Sequence, residues 1–114
     1  MNKIYLAIKD NEMKAIPLSS ILTIEAEDHY VSIYYKYEGK IKNLFAYAKI
    51  SDFARILPGE FVRVGRSQII NTGQVLCADG DTVKFANAHS LRLKTKTAVR
   101  FFFNELSVFI KRKQ

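Results

Sequence analysis

Short runs in which β-branched and aromatic side chains return at every second position follow one another along most of this chain, each closed by turn residues. In an extended strand successive side chains point to opposite faces, so this alternation suits half-buried β-strands and excludes an all-helical fold. Residues 4–8 form the first run, closed by Lys9-Asp10-Asn11-Glu12; residues 14–16 pair back on it as a hairpin before Pro17 interrupts. Residues 21–27 and 30–37 follow, and Glu38-Gly39-Lys40 turns the chain into 41–47, which makes a meander. Further runs cover 60–64, 68–71, 74–78, 82–85 and 90–94, with turns at Asp79-Gly80-Asp81 and Asn87-Ala88.

Two segments break this period. Ile50, Phe53, Ala54 and Leu57 repeat at helical spacing before Pro58-Gly59, with Ser51 or a neighbour as the N-terminal cap. From Thr97 onward Val99, Phe102, Phe103, Leu106 and Ile110 share one helical face, which assigns the phenylalanines to core and edge cover. The basic end Lys111-Arg112-Lys113 reads as solvated. The expectation is a mainly β domain with one short mid-chain helix and a C-terminal helix.

A chain of 114 residues fits one domain, residues 1–114, and buries a core without staples. The single cysteine, Cys77, excludes an internal disulfide framework, and its strand-like neighbours Val75 and Leu76 suggest a buried or half-buried small apolar residue. No apolar run reaches the length of a membrane span, so a cytoplasmic protein with no membrane contact is expected. His29 and His89 lie far apart without acidic partners in a ligand or dyad pattern, so no metal, no cofactor and no catalytic activity are expected.

Charge is distributed unevenly. Residues 1–60 carry eight Lys/Arg and eight Asp/Glu, whereas residues 61–114 carry ten and three, so the whole formal charge of +7 arises after Glu60. Such a field attracts polyanions. Three polar clusters interrupt the strand pattern: Glu27-Asp28-His29-Tyr30, Gly65-Arg66-Ser67-Gln68, and Arg92 with Lys94, Thr95, Lys96 and Thr97. Arg can fork onto guanine, while Lys, Ser, Thr and Gln hold phosphate oxygens. Glu27 or Asp28 suits a cytosine amino group or a solvated turn, and Arg63 suits either an internal carboxylate such as Glu25 or a phosphate. Asn71 reads as structural, its amide serving turn backbone.

The order Glu25-Ala26-x-x-His29-Tyr30-Val31, then a helix closed by Leu57-Pro58, then Phe61-Val62-Arg63-Val64-Gly65-Arg66-Ser67-Gln68-Ile69-Ile70-Asn71 closely resembles the LytTR-type DNA-binding domain, the output module of LytR/AlgR-class bacterial response regulators. The likeness covers about residues 15–109. Two positions depart from the family pattern: Gly65 stands where the family usually has His, and His29 where Asn is usual.

The resemblance implies an elongated stack of small antiparallel β-sheets whose loops reach successive grooves of one face of double-stranded DNA. By position it assigns DNA contact to His29 and Tyr30 in the first loop, Arg66 and Ser67 in the second, and Lys94 and Lys96 in the third. It further implies paired direct repeats, a homodimer on DNA, bending of the duplex, and a receiver domain or sensor partner outside this chain. Phe61, Val64, Ile69 and Ile70 are assigned to core. From the residues alone two other readings stay open. One is a single-stranded RNA-binding module that stacks bases on Tyr30, Tyr34 and Tyr47 or on the Phe cluster; the other is a protein that binds a related regulator rather than DNA.

Overall fold

The structure, a computed structural model, describes residues 2–9 and 11–112, with side chains up to Asn104 apart from that of Lys9. Its strands form three sheets. β1 (Lys3–Lys9) and β2 (Glu12–Pro17) make an N-terminal hairpin. The central sheet is built from β3 (Ile21–Ala26), β4 (Val31–Tyr37), β5 (Lys40–Ala46), β6 (Phe61–Arg63) and β7 (Gln68–Asn71) in the spatial order β5-β4-β3-β7-β6. β8 (Val75–Asp79), β9 (Thr82–Phe85) and β10 (Ser90–Arg92) form the third, in the order β10-β9-β8. Every strand pairing among the described residues is antiparallel. Helix α1 (Ile50–Ile56) joins β5 to β6, and α2 (Lys96–Arg112) closes the chain. The body is elongated, at 51 × 29 × 25 Å, as the resemblance implied.

The central sheet is buried on both faces. On one side Ile4, Leu6 and Ile16 of the hairpin and Ile50 and Phe53 of α1 pack against Ile21, Ile24, Ile33 and Ile69. On the other, Val83, Phe85 and Leu91 of the third sheet, Leu93 just after it, and Ala98 and Phe102 of α2 pack against Leu22, Val64 and Ile70. Each large side chain removed from water in this way contributes about 1.5–3 kcal/mol. Ile69 and Ile70 are adjacent in β7 and so feed opposite cores, which explains why all four residues of that strand are buried. In β3 a bulge does similar work. Ile21 lies opposite Tyr35 and Thr23 opposite Tyr34, so Leu22 is the inserted residue, and Ile21 and Ile24 reach the same core despite their odd spacing.

Several expectations shift. Cys77 is exposed, because a second bulge between Val75 and Cys77 turns both Leu76 and Cys77 outward on the edge strand β8. Ser51 does not cap α1: Lys49 holds the cap position and no side chain bonds the helix start. Ala54 is exposed, while Phe53 is buried and Leu57 packs at the margin of the core. Phe61 is half-buried against the core rather than enclosed. In α2 Phe102 is buried and Phe103 packs on it edge-on, whereas Phe101 is exposed; the side chains of Leu106, Ile110, Lys111 and Arg112, and all of Lys113, lie outside the described residues.

Candidate nucleic-acid interface

Strand order brings the three polar clusters together. Ala26 ends β3 opposite Val31, which starts β4, so the loop at residues 27–30 leaves one end of the central sheet. Gln68 starts β7 opposite Glu25, and the loop at 64–67 therefore leaves the same end, one strand over. The main chain ties the two, since the Ala26 N–H donates to Ser67 O at 2.8 Å. The third loop joins β10 to α2 and shares a cleft with the second, lined by Gly65, Arg66, Ser67, Lys94, Thr95 and Thr97.

The second loop is held rigidly for an exposed segment. Val64 is anchored in the core beneath it, and its N–H donates to Gln68 O at 2.9 Å. Arg63 does not reach Glu25; its Nε donates to Gly65 O at 3.1 Å and its Nη2 to Arg66 O at 2.8 Å. Two carbonyls turned back onto one guanidinium satisfy the backbone of a tight loop. Gly65 has φ +105°, a left-handed value that favours glycine, while a Cβ there would meet Ala98 Cβ only at an ordinary 3.8 Å. Backbone conformation rather than space accounts for the missing side chain. What the loop displays outward is Arg66, exposed, and Ser67, half-exposed.

Around the third loop, Leu93 is buried and its N–H donates to Asp81 O at 2.7 Å. Arg92 Nε donates to Asp81 Oδ2 at 2.8 Å, and that bond holds the Asp81 carboxyl below the usual range. Thr95 caps α2 by accepting the Ala98 N–H on its Oγ1 at 3.0 Å, a role the sequence reading missed. Lys94 and Lys96 flank that cap, both exposed, and the first turn holds no acidic residue. Cations at a helix start oppose its dipole by about 0.3–1 kcal/mol each, a cost that a bound anion reverses.

In the first loop the Glu27 N–H donates to Tyr30 O at 2.8 Å. His29 is exposed, with its Nε2 3.6 Å from Asp28 Oδ2. Tyr30 is half-buried and stands edge-on to Phe45 at 5.0 Å, so part of its ring serves the scaffold. Behind the loops a groove of about 840 Å³ runs along β10, lined by Glu25, Tyr34, Gln68, His89, Arg92 and Lys94 among others. Burial pushes the Glu25 carboxyl up, helped by Glu27 and opposed by Lys94. His89 lies 4.9 Å from the Tyr34 ring and 3.4 Å from Thr23 Oγ1, and burial pushes its pKa down. Across the groove Gln68, 1% exposed, donates from Nε2 to Arg92 O at 2.8 Å and joins the strands that carry the second and third loops. Among the described residues no group of His, Cys, Asp and Glu is arranged to hold a metal, and no helix is long and apolar enough to cross a membrane.

Residues 11–102 match the LytTr DNA-binding domain family. The chain belongs to that family. Among solved structures it is similar to the LytTr DNA-binding domain of a protein from Bacillus cereus described as a putative methyl-accepting/DNA response regulator, at 17% identity and TM-score 0.73, over 93% of this chain and 97% of that one. None of the curated proteins matches. LytTr membership makes this a DNA-binding domain, and the three antiparallel sheets with two helices are the fold of that relative. The six residues expected to touch DNA divide by surroundings. His29, Arg66, Lys94 and Lys96 are exposed, whereas Tyr30 and Ser67 are partly enclosed.

Proposed function

We propose that this LytTr domain is a sequence-specific reader of double-stranded DNA within a bacterial transcription regulator, its three loops entering successive grooves of paired repeats occupied by two protomers. One observation carries the reading: three loops scattered between residues 27 and 97 leave neighbouring strand ends, tied by Ala26–Ser67 and Gln68–Arg92 bonds. Arg66 is the base reader of the middle loop, while Ser67, Lys94 and Lys96 hold phosphates and fix register. His29 and Tyr30 serve the outer groove, and a receiver domain or sensor partner outside this chain supplies the signal.

Selection of duplexes from a random pool by the protein tests this directly. Arg66→Ala should cost about 1–3 kcal/mol on the selected duplex and relax one position of its sequence, while Lys94→Ala should weaken all duplexes alike. A pool from which no duplex is enriched, or single-stranded RNA outcompeting duplex DNA at fixed salt, would sink the reading.

A further inference from the structure

The row of loops has a member that the sequence motif does not include. Strand pairing places Ala46, the last residue of β5, opposite Val31, so the segment Tyr47-Ala48-Lys49 leaves the same end of the central sheet as the first and second loops. Adjacent strands lie about 4.8 Å apart, which puts this segment one strand beyond the first loop, on the flank away from the second. Ala48, Lys49 and Ile50 form one wall of a cleft whose other wall is Ala26 to Tyr30. Tyr47 is 82% exposed and Lys49 is exposed; neither side chain makes a hydrogen bond or ion pair among the described residues.

The segment's place in the row names the occupant, and charge says which part of the segment would meet it. With His29 neutral, the first loop carries Glu27 and Asp28 and no cation, a formal −2, which by itself repels a phosphodiester backbone. Lys49 stands across the cleft from both carboxylates and halves that charge, and the exposed Tyr47 offers a phenol as a phosphate donor on a ring that loses little side-chain freedom when ordered. We infer that Tyr47 and Lys49 form a fourth DNA contact, a phosphate clamp flanking the first loop, which lets an acidic loop lie in a groove. This rests on the loops meeting duplex DNA as proposed above.

The test uses the full chain and the duplex it selects, titrated by fluorescence anisotropy across a salt series. Lys49→Ala should weaken binding to all duplexes uniformly and flatten the slope of log affinity against log salt by about 0.9, whereas Lys49→Arg should keep the wild-type slope. Tyr47→Phe should weaken binding without changing the slope, since it removes a neutral donor. Lys49 makes no side-chain cap to α1, so its truncation leaves the helix start as it was. Lys84→Ala, in the middle of β9 and outside the row, supplies the reference for a surface cation with no phosphate. An unchanged slope for Lys49→Ala, or a slope change equal to that of Lys84→Ala, overturns the inference. So does a Tyr47→Ala protein that binds DNA normally but loses self-association in sedimentation, which would make the patch an interface between copies. If the wild-type protein selects no duplex, the proposed function itself fails, a result separate from wild-type binding that Lys49 does not affect.

Discussion

Replacing Gln68 by Leu isolates the bond that joins the second and third loops. In the β9–β10 ladder the Leu93 N–H donates to Asp81 O and the Phe85 N–H to His89 O, so residues 93, 91 and 89 are the bonded positions. Arg92 lies between them, and its carbonyl therefore points away from β9, outward from the edge strand. Gln68 Nε2 at 2.8 Å is the partner that satisfies it. The substitution removes a neutral hydrogen bond of about 1 kcal/mol net and leaves a part-buried acceptor without its donor, about 1–3 kcal/mol, while the apolar side chain returns up to about 1 kcal/mol. The net loss should be about 2 kcal/mol, read as a fall of roughly 1 M in the urea midpoint.

The functional half of the same prediction concerns register. Gln68→Leu removes no charge, so the salt slope of DNA binding should be unchanged, whereas affinity for the selected duplex should fall and tolerance for altered spacing within the site should widen. Stability lowered by less than about 0.5 kcal/mol would mean that the Arg92 carbonyl finds another partner, which refutes the accounting. Lowered stability with unaltered spacing preference would leave the bond structural and refute its role in phasing the loops.

Asn71 is 3% exposed, donates from Nδ2 to Ile21 O at 2.9 Å and accepts the Gly73 N–H at 3.1 Å; Asn71→Ala strands both backbone groups and should cost about 3 kcal/mol in urea unfolding, with a loss under about 1 kcal/mol counting against it. His89 is pushed below its ordinary 6.5 by burial, so the folded state binds fewer protons than the unfolded chain, and stability should fall as pH drops below 6.5. His89→Phe should flatten that part of the thermal-melting profile, and an unflattened profile would place the titration elsewhere.

The strands were legible because alternation is local, and the pairings β1–β2, β3–β4–β5 and β8–β9–β10 follow from short turns. The return of β7 to the side of β3 was not legible, since nothing in the spacing reveals which edge a strand joins after a helix. Bulges were not legible: Leu22 and Leu76 each insert one residue and reverse the alternation beyond it, which is why Cys77 faces outward when its neighbours' pattern placed it inside. Asn71 was legible because an amide after an apolar run has few other uses. Arg63 was not, because a guanidinium near Glu25 in the sheet looks like half of an ion pair until the loop carbonyls are seen turning back toward it.

The same clamp explains how charge is deployed after residue 61 and why Gly65 fits. Of the cations near the loops that follow residue 61, Arg63 is held by carbonyls and Arg92 by Asp81, while the side chains of Arg66, Lys94 and Lys96 make no hydrogen bond or ion pair among the described residues. Directing Gly65 O toward Arg63 goes with a φ of +105°, and a side chain at that residue would be strained there even though Ala98 leaves room for it. The residue that departs from the family pattern thus goes with a loop whose backbone is tied by Arg63. On the function proposed above, ordering that segment in advance lowers the entropy lost when Arg66 meets DNA.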